Sequence, residues 1–157
     1  MIKLIVAMDK NNLIGNKNKL PWNIKEEMQH FQKKTMNNAL LFGKTTYQGI
    51  EKHLKDRIIY VLSENDIKGD CTIIHNDKEL KELFDKYRKC SGVLYIAGGK
   101  NIYEKYYQEA EELIISRIKG EFAGDVYLNI DLSKFSLYKI DEYPEFSVEY
   151  YIKCIDK

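Results

Sequence analysis

LIGNKNKLPWNIKEEMQHF, residues 13–31, is the stretch on which the reading of this chain turns. It runs from an apolar strand end, through a loop holding the only tryptophan, into an amphipathic helix. With that helix starting near Ile24 and its residues placed at about 100° steps, Ile24, Met28, Phe31 and Thr35 share one narrow face. Glu27 falls at the edge of that face, and Glu26 points nearly the opposite way. Helix geometry leaves two readings of Glu27 open. In one it borders the core and turns its head to water, since glutamate is seldom buried unpaired. In the other its carboxylate lies poorly solvated against an apolar wall, just after a Leu-Pro-Trp loop. A cationic or hydrogen-bond-donating ligand group would then compensate it.

The flanking chain supplies the fold. Upstream, Ile2 to Met8 is an almost unbroken apolar run, which marks a strand covered on both faces. The polar loop from Asp9 to Asn23 that follows is longer than a compact domain keeps without a use for it. Downstream, short buried strands are expected at Ala39–Phe42, Arg57–Leu62, Cys71–Ile74, Val93–Ala97 and Glu112–Lys119. Helices are expected after Gly43-Lys44-Thr45-Thr46, over Asp77–Lys89 behind an Asp77 cap, and over about Lys100–Tyr107. Phe135–Asp141 and Phe146–Ile155 alternate apolar and polar residues around the turn-like Glu142-Tyr143-Pro144-Glu145, as an antiparallel hairpin does. The fold class is therefore α/β: a mainly parallel sheet with helices on both faces and an antiparallel edge. A length of 157 residues without repeat or linker predicts one domain.

Composition narrows the function classes. The net charge is +1, and no basic block gathers with aromatics, so no nucleic-acid partner is expected. The N-terminal apolar run is too short for a signal peptide, and no stretch approaches a membrane span. Cys71, Cys90 and Cys154 are scattered and read as reduced thiols of a cytoplasmic protein. His30, His53 and His75 lack metal-ligand spacing, and no metal is expected.

Ligands of open α/β sheets bind at the carboxyl ends of strands, where loops and helix N-termini converge. Three such places carry candidate residues: the first loop with Ile14, Leu20 and Trp22, the turn Gly43 to Thr46, and the Gly98-Gly99 turn. Helix N-termini opening with Gly, Lys and Thr suit a diphosphate, although neither turn matches the P-loop or the G-x-G-x-x-G fingerprint. Arg57 heads a strand and reads either as a surface arginine or as a partner for an acidic ligand. The residues alone point to a dinucleotide-using or anionic-ligand site.

Taken in order, these motifs resemble dihydrofolate reductase over nearly the whole chain. The set comprises the IKLIVAM strand, Ile14-Gly15, Leu20-Pro21-Trp22, an acid five residues beyond the Trp, and Phe31. It continues with Phe42-Gly43-Lys44-Thr45-Thr46, Leu54 with Arg57, Leu62-Ser63, Ile96-Ala97-Gly98-Gly99 with Ile102-Tyr103, Ser116, and Gly124-Asp125. Each motif is weak; the ordered set is specific. The resemblance implies a single-domain, mainly parallel eight-stranded twisted sheet with an antiparallel C-terminal hairpin and about four flanking helices. It also implies hydride transfer from NADPH to carbon 6 of dihydrofolate, with protonation at nitrogen 5.

The same resemblance assigns roles. Glu27 matches the family's active-site acid, bonding the pterin ring nitrogen and 2-amino group, with water delivering the proton to nitrogen 5. Ser116 steadies that acid, and Leu20 and Trp22 belong with it around the reaction centre. The carbonyls of Ile5 and Ala97 face the pterin side, and Ala7, Met28, Phe31, Ile50 and Leu54 complete the substrate walls. Arg57 matches the clamp on the glutamate α-carboxylate, a bidentate role suited to a guanidinium. Ala7, Ile14, Gly15, Asn18, Leu20, Thr46, Ala97 and Tyr103 match the nicotinamide side, with Asn16 to Leu20 in a mobile lid. Gly43, Lys44, Thr45, Leu62, Ser63, His75, Gly98, Gly99, Lys100, Asn101 and Ile102 match the rest of the cofactor site. Antifolates such as trimethoprim or methotrexate are implied ligands, and the implied state is a monomer.

One position departs from the family pattern. After Leu62-Ser63 the family usually offers a polar or basic residue to the adenosine 2′-phosphate, and this chain has Glu64. Lys44, Ser63 and His75 remain as attractive partners, which keeps NADPH ahead of NADH. A pyrimidine reductase of the riboflavin pathway is the nearest rival; the Leu-Pro-Trp lid with Glu27 behind it, and Arg57, argue against it. A nucleotide-binding module without activity would be expected to have lost the acid or the Gly-Gly turn.

Overall fold

The structure is a computed structural model that describes residues 1–16, 19–50 and 54–155. Its centre is the strand β1 (Ile2–Asp9), whose apolar run is buried on both faces. In chain order follow β2 (Leu13–Gly15), α1 (Lys25–Thr35), β3 (Ala39–Gly43), α2 (Lys44–Ile50), β4 (Ile58–Leu62) and β5 (Thr72–Ile74). Then come α3 (Asp77–Lys89), β6 (Leu94–Ile96), α4 (Lys100–Tyr106), β7 (Glu112–Ile118), β8 (Val126–Tyr127), β9 (Phe135–Glu142) and β10 (Phe146–Lys153). The main sheet has eight strands in the order β5-β4-β3-β6-β1-β7-β10-β9. All its pairs are parallel except β7–β10 and β10–β9, so the expected antiparallel edge is the C-terminal hairpin.

The helices divide evenly between the two faces. Side chains of α3 and α4 join Ile2, Leu4, Val6 and Met8 in one core. Tyr47 of α2 and the partly buried Ile24 and Phe31 beside and on α1 pack with Ile5, Phe42, Ile114 and Val148 in the other. Alternation along β1 and β7 thus sends Ile5, Ala7, Ile114 and Ser116 toward α1, and Met8 and Arg117 toward the opposite face.

Three expectations need correction. The 9–23 segment is not loop throughout: Leu13–Gly15 forms a strand that pairs with Val126–Tyr127 in a separate two-stranded sheet. The cap of α3 is Asn76, not Asp77; its side chain accepts from the backbone N–H of Glu79 at 2.9 Å. The buried stripe of α1 is also rotated. Glu27, His30 and Thr35 are buried, whereas Met28 is 46% exposed. The wall facing α1 includes the Ser116 hydroxyl, so the helix turns an acid inward there and leaves a flexible thioether outside.

Candidate active site

Strand register builds the site. Leu4 and Leu41 both pair with Ile96, so β6 inserts between β1 and β3 and brings the Gly98-Gly99 turn beside the end of β3. This is the crevice at which open α/β sheets take ligands. The Gly43 N–H donates to the Gly98 carbonyl at 2.8 Å, and the peptide between Gly98 and Gly99 is cis. Glycine suits this turn through a positive φ at one position and a close side-chain approach at the other. Gly98 has φ 127, and a Cβ on Gly99 would lie 2.8 Å from Thr46 Oγ1. Thr46, Tyr103 and the two glycines therefore meet in one place. Gly43, Leu62 and Ile74 are in register across β3, β4 and β5, so Lys44, Ser63 and His75 follow in a row along the carboxyl edge.

Glu27 faces this crevice from α1. It is 7% exposed, and burial pushes its carboxyl up to about 7, while a hydrogen bond from Ser116 pulls in the other direction. Ser116 is buried on β7 beside Ala7. Tyr103 is also close enough for the Glu27 charge to add to burial in raising its phenol. The Tyr103 hydroxyl donates to the Ile5 carbonyl at 2.8 Å. A desolvated acid, a hydroxyl donor and a backbone carbonyl thus line the α1 side of β1. Among the described residues no cation is paired with Glu27. The head-in-water reading of this glutamate is thereby overturned.

Trp22 is buried edge-on to Phe122, ring centroids 5.5 Å apart, and its Nε1 has no partner among the described residues. Leu20 is 48% exposed, Ile14 leans on the α3–α4 core, and Gly15 accepts from the Asp125 N–H at 3.1 Å. Asn16 and Lys19 bridge each other through their backbones. Asn18 lies outside the described residues.

Of the substrate-side residues, Leu54 is buried, Phe31 and Ile50 pack on the α1–α2 core, and Ala97 is buried at the end of β6. Arg57 is fully engaged. Its Nε donates to Thr35 Oγ1 at 3.0 Å, its Nη2 to the Gln32 carbonyl and Oε1 at 2.7 Å each, and its Nη1 to the Lys55 carbonyl. Thr35 and Gln32 are partners of Arg57 that sequence reasoning missed. Thr35 was visible on the narrow helix face, but its bond to a strand-heading arginine is a long-range fact.

At the far end Lys44, Thr45, Lys100 and Asn101 are exposed at the starts of α2 and α4, and Ile102 is buried behind them. Ser63 and His75 are not free toward a ligand. The Ser63 hydroxyl donates to the Asn65 carbonyl at 2.7 Å. The two ring nitrogens of His75 contact Glu79 at 3.1 Å and Asp66 at 3.0 Å, which holds the imidazole above its ordinary value. With Glu64 exposed nearby in sequence, this end is richer in carboxylates than the resemblance implies.

Comparison with known proteins agrees with this geometry. The family model for dihydrofolate reductase matches residues 1–154. The chain is 41% identical over 159 residues to dihydrofolate reductase of Mycoplasma genitalium, with 98% of each covered. It is 39% identical over 163 residues to that of Mycoplasma pneumoniae, again with 98% of each covered. A solved structure of dihydrofolate reductase from Enterococcus faecalis, complexed with NADP(H) and RAB-propyl, superposes with a TM-score of 0.86. That neighbour is 26% identical, with 98% of this chain and 96% of the other covered. The chain belongs to the dihydrofolate reductase family of oxidoreductases.

Proposed function

We propose that residues 1–157 act as a single dihydrofolate reductase domain that reduces 7,8-dihydrofolate to 5,6,7,8-tetrahydrofolate, as a cytoplasmic monomer serving one-carbon metabolism. The observation that carries this reading is Glu27: a buried carboxyl, raised to about 7, beside Ser116 and without a paired cation among the described residues. A pterin offers such a group two donors, the ring nitrogen and the 2-amino group. Their hydrogen bonds replace the water that Glu27 has lost. Trimethoprim and methotrexate, which offer a 2-amino group and, once a ring nitrogen is protonated, a ring N–H, are expected to bind there as inhibitors.

The residues at the β3 and β6 ends fit NADPH. The close packing of Thr46 against Gly99 supports backbone approach by a diphosphate, with Lys44, Thr45, Lys100 and Asn101 as its donors. Bound there, NADPH supplies the hydride that reaches pterin carbon 6. Ala7, Ile14, Thr46 and Tyr103 line the nicotinamide side, and Leu20 and Trp22 exclude water from above. Glu27 fixes the pterin's orientation, and a water molecule carries the proton to nitrogen 5. Phe31, Ile50 and Leu54 flank the rings. Arg57, already oriented by Thr35 and Gln32, takes the glutamate α-carboxylate by exchanging part of that set.

Loss of reduced-nicotinamide absorbance on adding dihydrofolate tests the reading. The native protein is expected to consume NADPH only when dihydrofolate is present. NADPH binding without consumption would overturn it.

A further inference from the structure

Arg57 is a partly buried guanidinium, and among the described residues no carboxylate lies within ion-pair distance of it. Asp56, next to it in the chain, is the one acid that bears on its charge. Its donors are turned on neutral oxygens instead. Nε donates to Thr35 Oγ1 at 3.0 Å, and Nη2 donates to the Gln32 carbonyl and to Gln32 Oε1 at 2.7 Å each. Nη1 donates to the Lys55 carbonyl, and its second N–H has no acceptor among the described residues. A neutral oxygen holds a guanidinium less strongly than a carboxylate does, so this set favours an incoming anion.

The four acceptors differ in how easily they withdraw. The Gln32 and Lys55 carbonyls are backbone, and the first also accepts from the Met36 N–H at 3.1 Å within α1. Thr35 is fully buried, and its hydroxyl donates to the Phe31 carbonyl at 2.8 Å. Gln32 Oε1 sits on a partly buried side chain, and a change of rotamer withdraws it without moving backbone. A carboxylate accepted across Nη1 and Nη2 needs that oxygen to leave. Helix α1 also fixes where such a carboxylate would lie. Glu27 and Thr35 both belong to its buried face, about 12 Å apart along the axis at about 1.5 Å per residue. Phe31 lies between them and packs in one core with Ile50 and Leu54. A ligand held at Glu27 therefore reaches Arg57 only with an extended, acid-ended tail.

We propose that Gln32 is a specificity-determining residue: its Oε1 closes Arg57 within the protein, and a ligand carboxylate opens the pair by displacing it. The ion pair with a tail carboxylate is weakened by the amide contact it replaces, whereas a ligand without a tail leaves that contact in place. Gln32 thereby sets how strongly the chain prefers acid-tailed ligands over tail-free ones. That a folate tail reaches Arg57 rests on the reductase reading; the closure of Arg57 by Gln32 does not.

Methotrexate and its α-carboxamide differ only in the carboxylate that Arg57 would take. Calorimetry gives their dissociation constants for the native protein, Gln32→Met and Gln32→Glu. Gln32→Met keeps the length and helix preference of the side chain and removes the oxygen. Its preference for the carboxylate over the carboxamide should rise about threefold or more. Gln32→Glu puts a charged acceptor in the same place, and the preference should fall about tenfold or more. Trimethoprim, which has no tail, should bind all three proteins alike. An unchanged or lowered preference in Gln32→Met, or changes that trimethoprim shares in full, would overturn the proposal. Native protein that fails to bind methotrexate would instead remove the reductase reading. The NMR signal of the Arg57 Nε–H, titrated with N-(4-aminobenzoyl)glutamate, then decides the role of Gln32. Saturation at a lower concentration in Gln32→Met than in the native protein is expected, and equal titrations would overturn that role.

Discussion

Burial raises the Glu27 carboxyl from 4.5 to about 7, so between those values the folded chain holds a proton that the unfolded chain releases. By linkage, stability then falls as pH rises through that window. The shift corresponds to about 3 kcal/mol at most, from about 1.4 kcal/mol per unit. Glu27→Gln removes the effect, so the ligand-free variant should melt several degrees above the native protein at pH 8 and close to it at pH 5. His30 acts with the opposite sign. Burial against Phe146, aided by Lys34 and opposed by Asp141, lowers its imidazole from 6.5 to about 4. Its contribution is full above 6.5 and is lost as pH falls toward 4, which gives the melting curve an acid limb independent of Glu27. Thermal melts across pH 4 to 8 check both; equal melting of native and Glu27→Gln at pH 8 would contradict the first. Helical spacing placed Glu27 at the edge of a buried face. Which edge turned inward depended on Ser116, some ninety residues away, and no local pattern carries that.

Elements of ordinary length were legible because their apolar periodicity runs for several residues, as in β1, α3 and the β9–β10 hairpin. β2 and β8 were not. β2 has three residues and β8 two, too few for a period to register, and their pairing joins segments over a hundred residues apart. The chain leading into β8 nonetheless comes close to β2: a Cβ on Gly124 would lie 2.5 Å from the Gly15 carbonyl oxygen and 2.7 Å from Leu13 Cδ1. Backbone cannot yield as a side-chain tip can, so Gly124→Ala must displace β2. Small misplacements near a reacting centre are costly, and kcat/KM for dihydrofolate should fall about tenfold or more with only a few degrees lost in melting temperature. Steady-state rates beside a thermal melt check this, and unchanged kinetics would show that the lid does not depend on the Gly15–Gly124 approach.

Across the whole molecule, the sheet order aligns the ends of β3, β4 and β5 and so strings Lys44, Ser63 and His75 along one edge. The sequence motifs indicated that row through the family resemblance, but not that Asp66 and Glu79 would occupy both His75 nitrogens. Glu64 adds a further carboxylate, which would disfavour a 2′-phosphate placed there by like-charge repulsion. Glu64→Ser should tighten NADPH and leave NADH unchanged, measured as dissociation constants in parallel; equal effects on both would contradict this placement. The insertion of β6 between β1 and β3 is likewise a long-range fact, and it brings Gly98-Gly99 beside the end of β3. The account as a whole rests on that one acid being the group that holds the pterin. Its most direct test is kcat/KM for dihydrofolate at saturating NADPH in native protein and Glu27→Gln at pH 7. The account predicts a loss of about a hundredfold or more. A variant retaining activity within about threefold of native would contradict it.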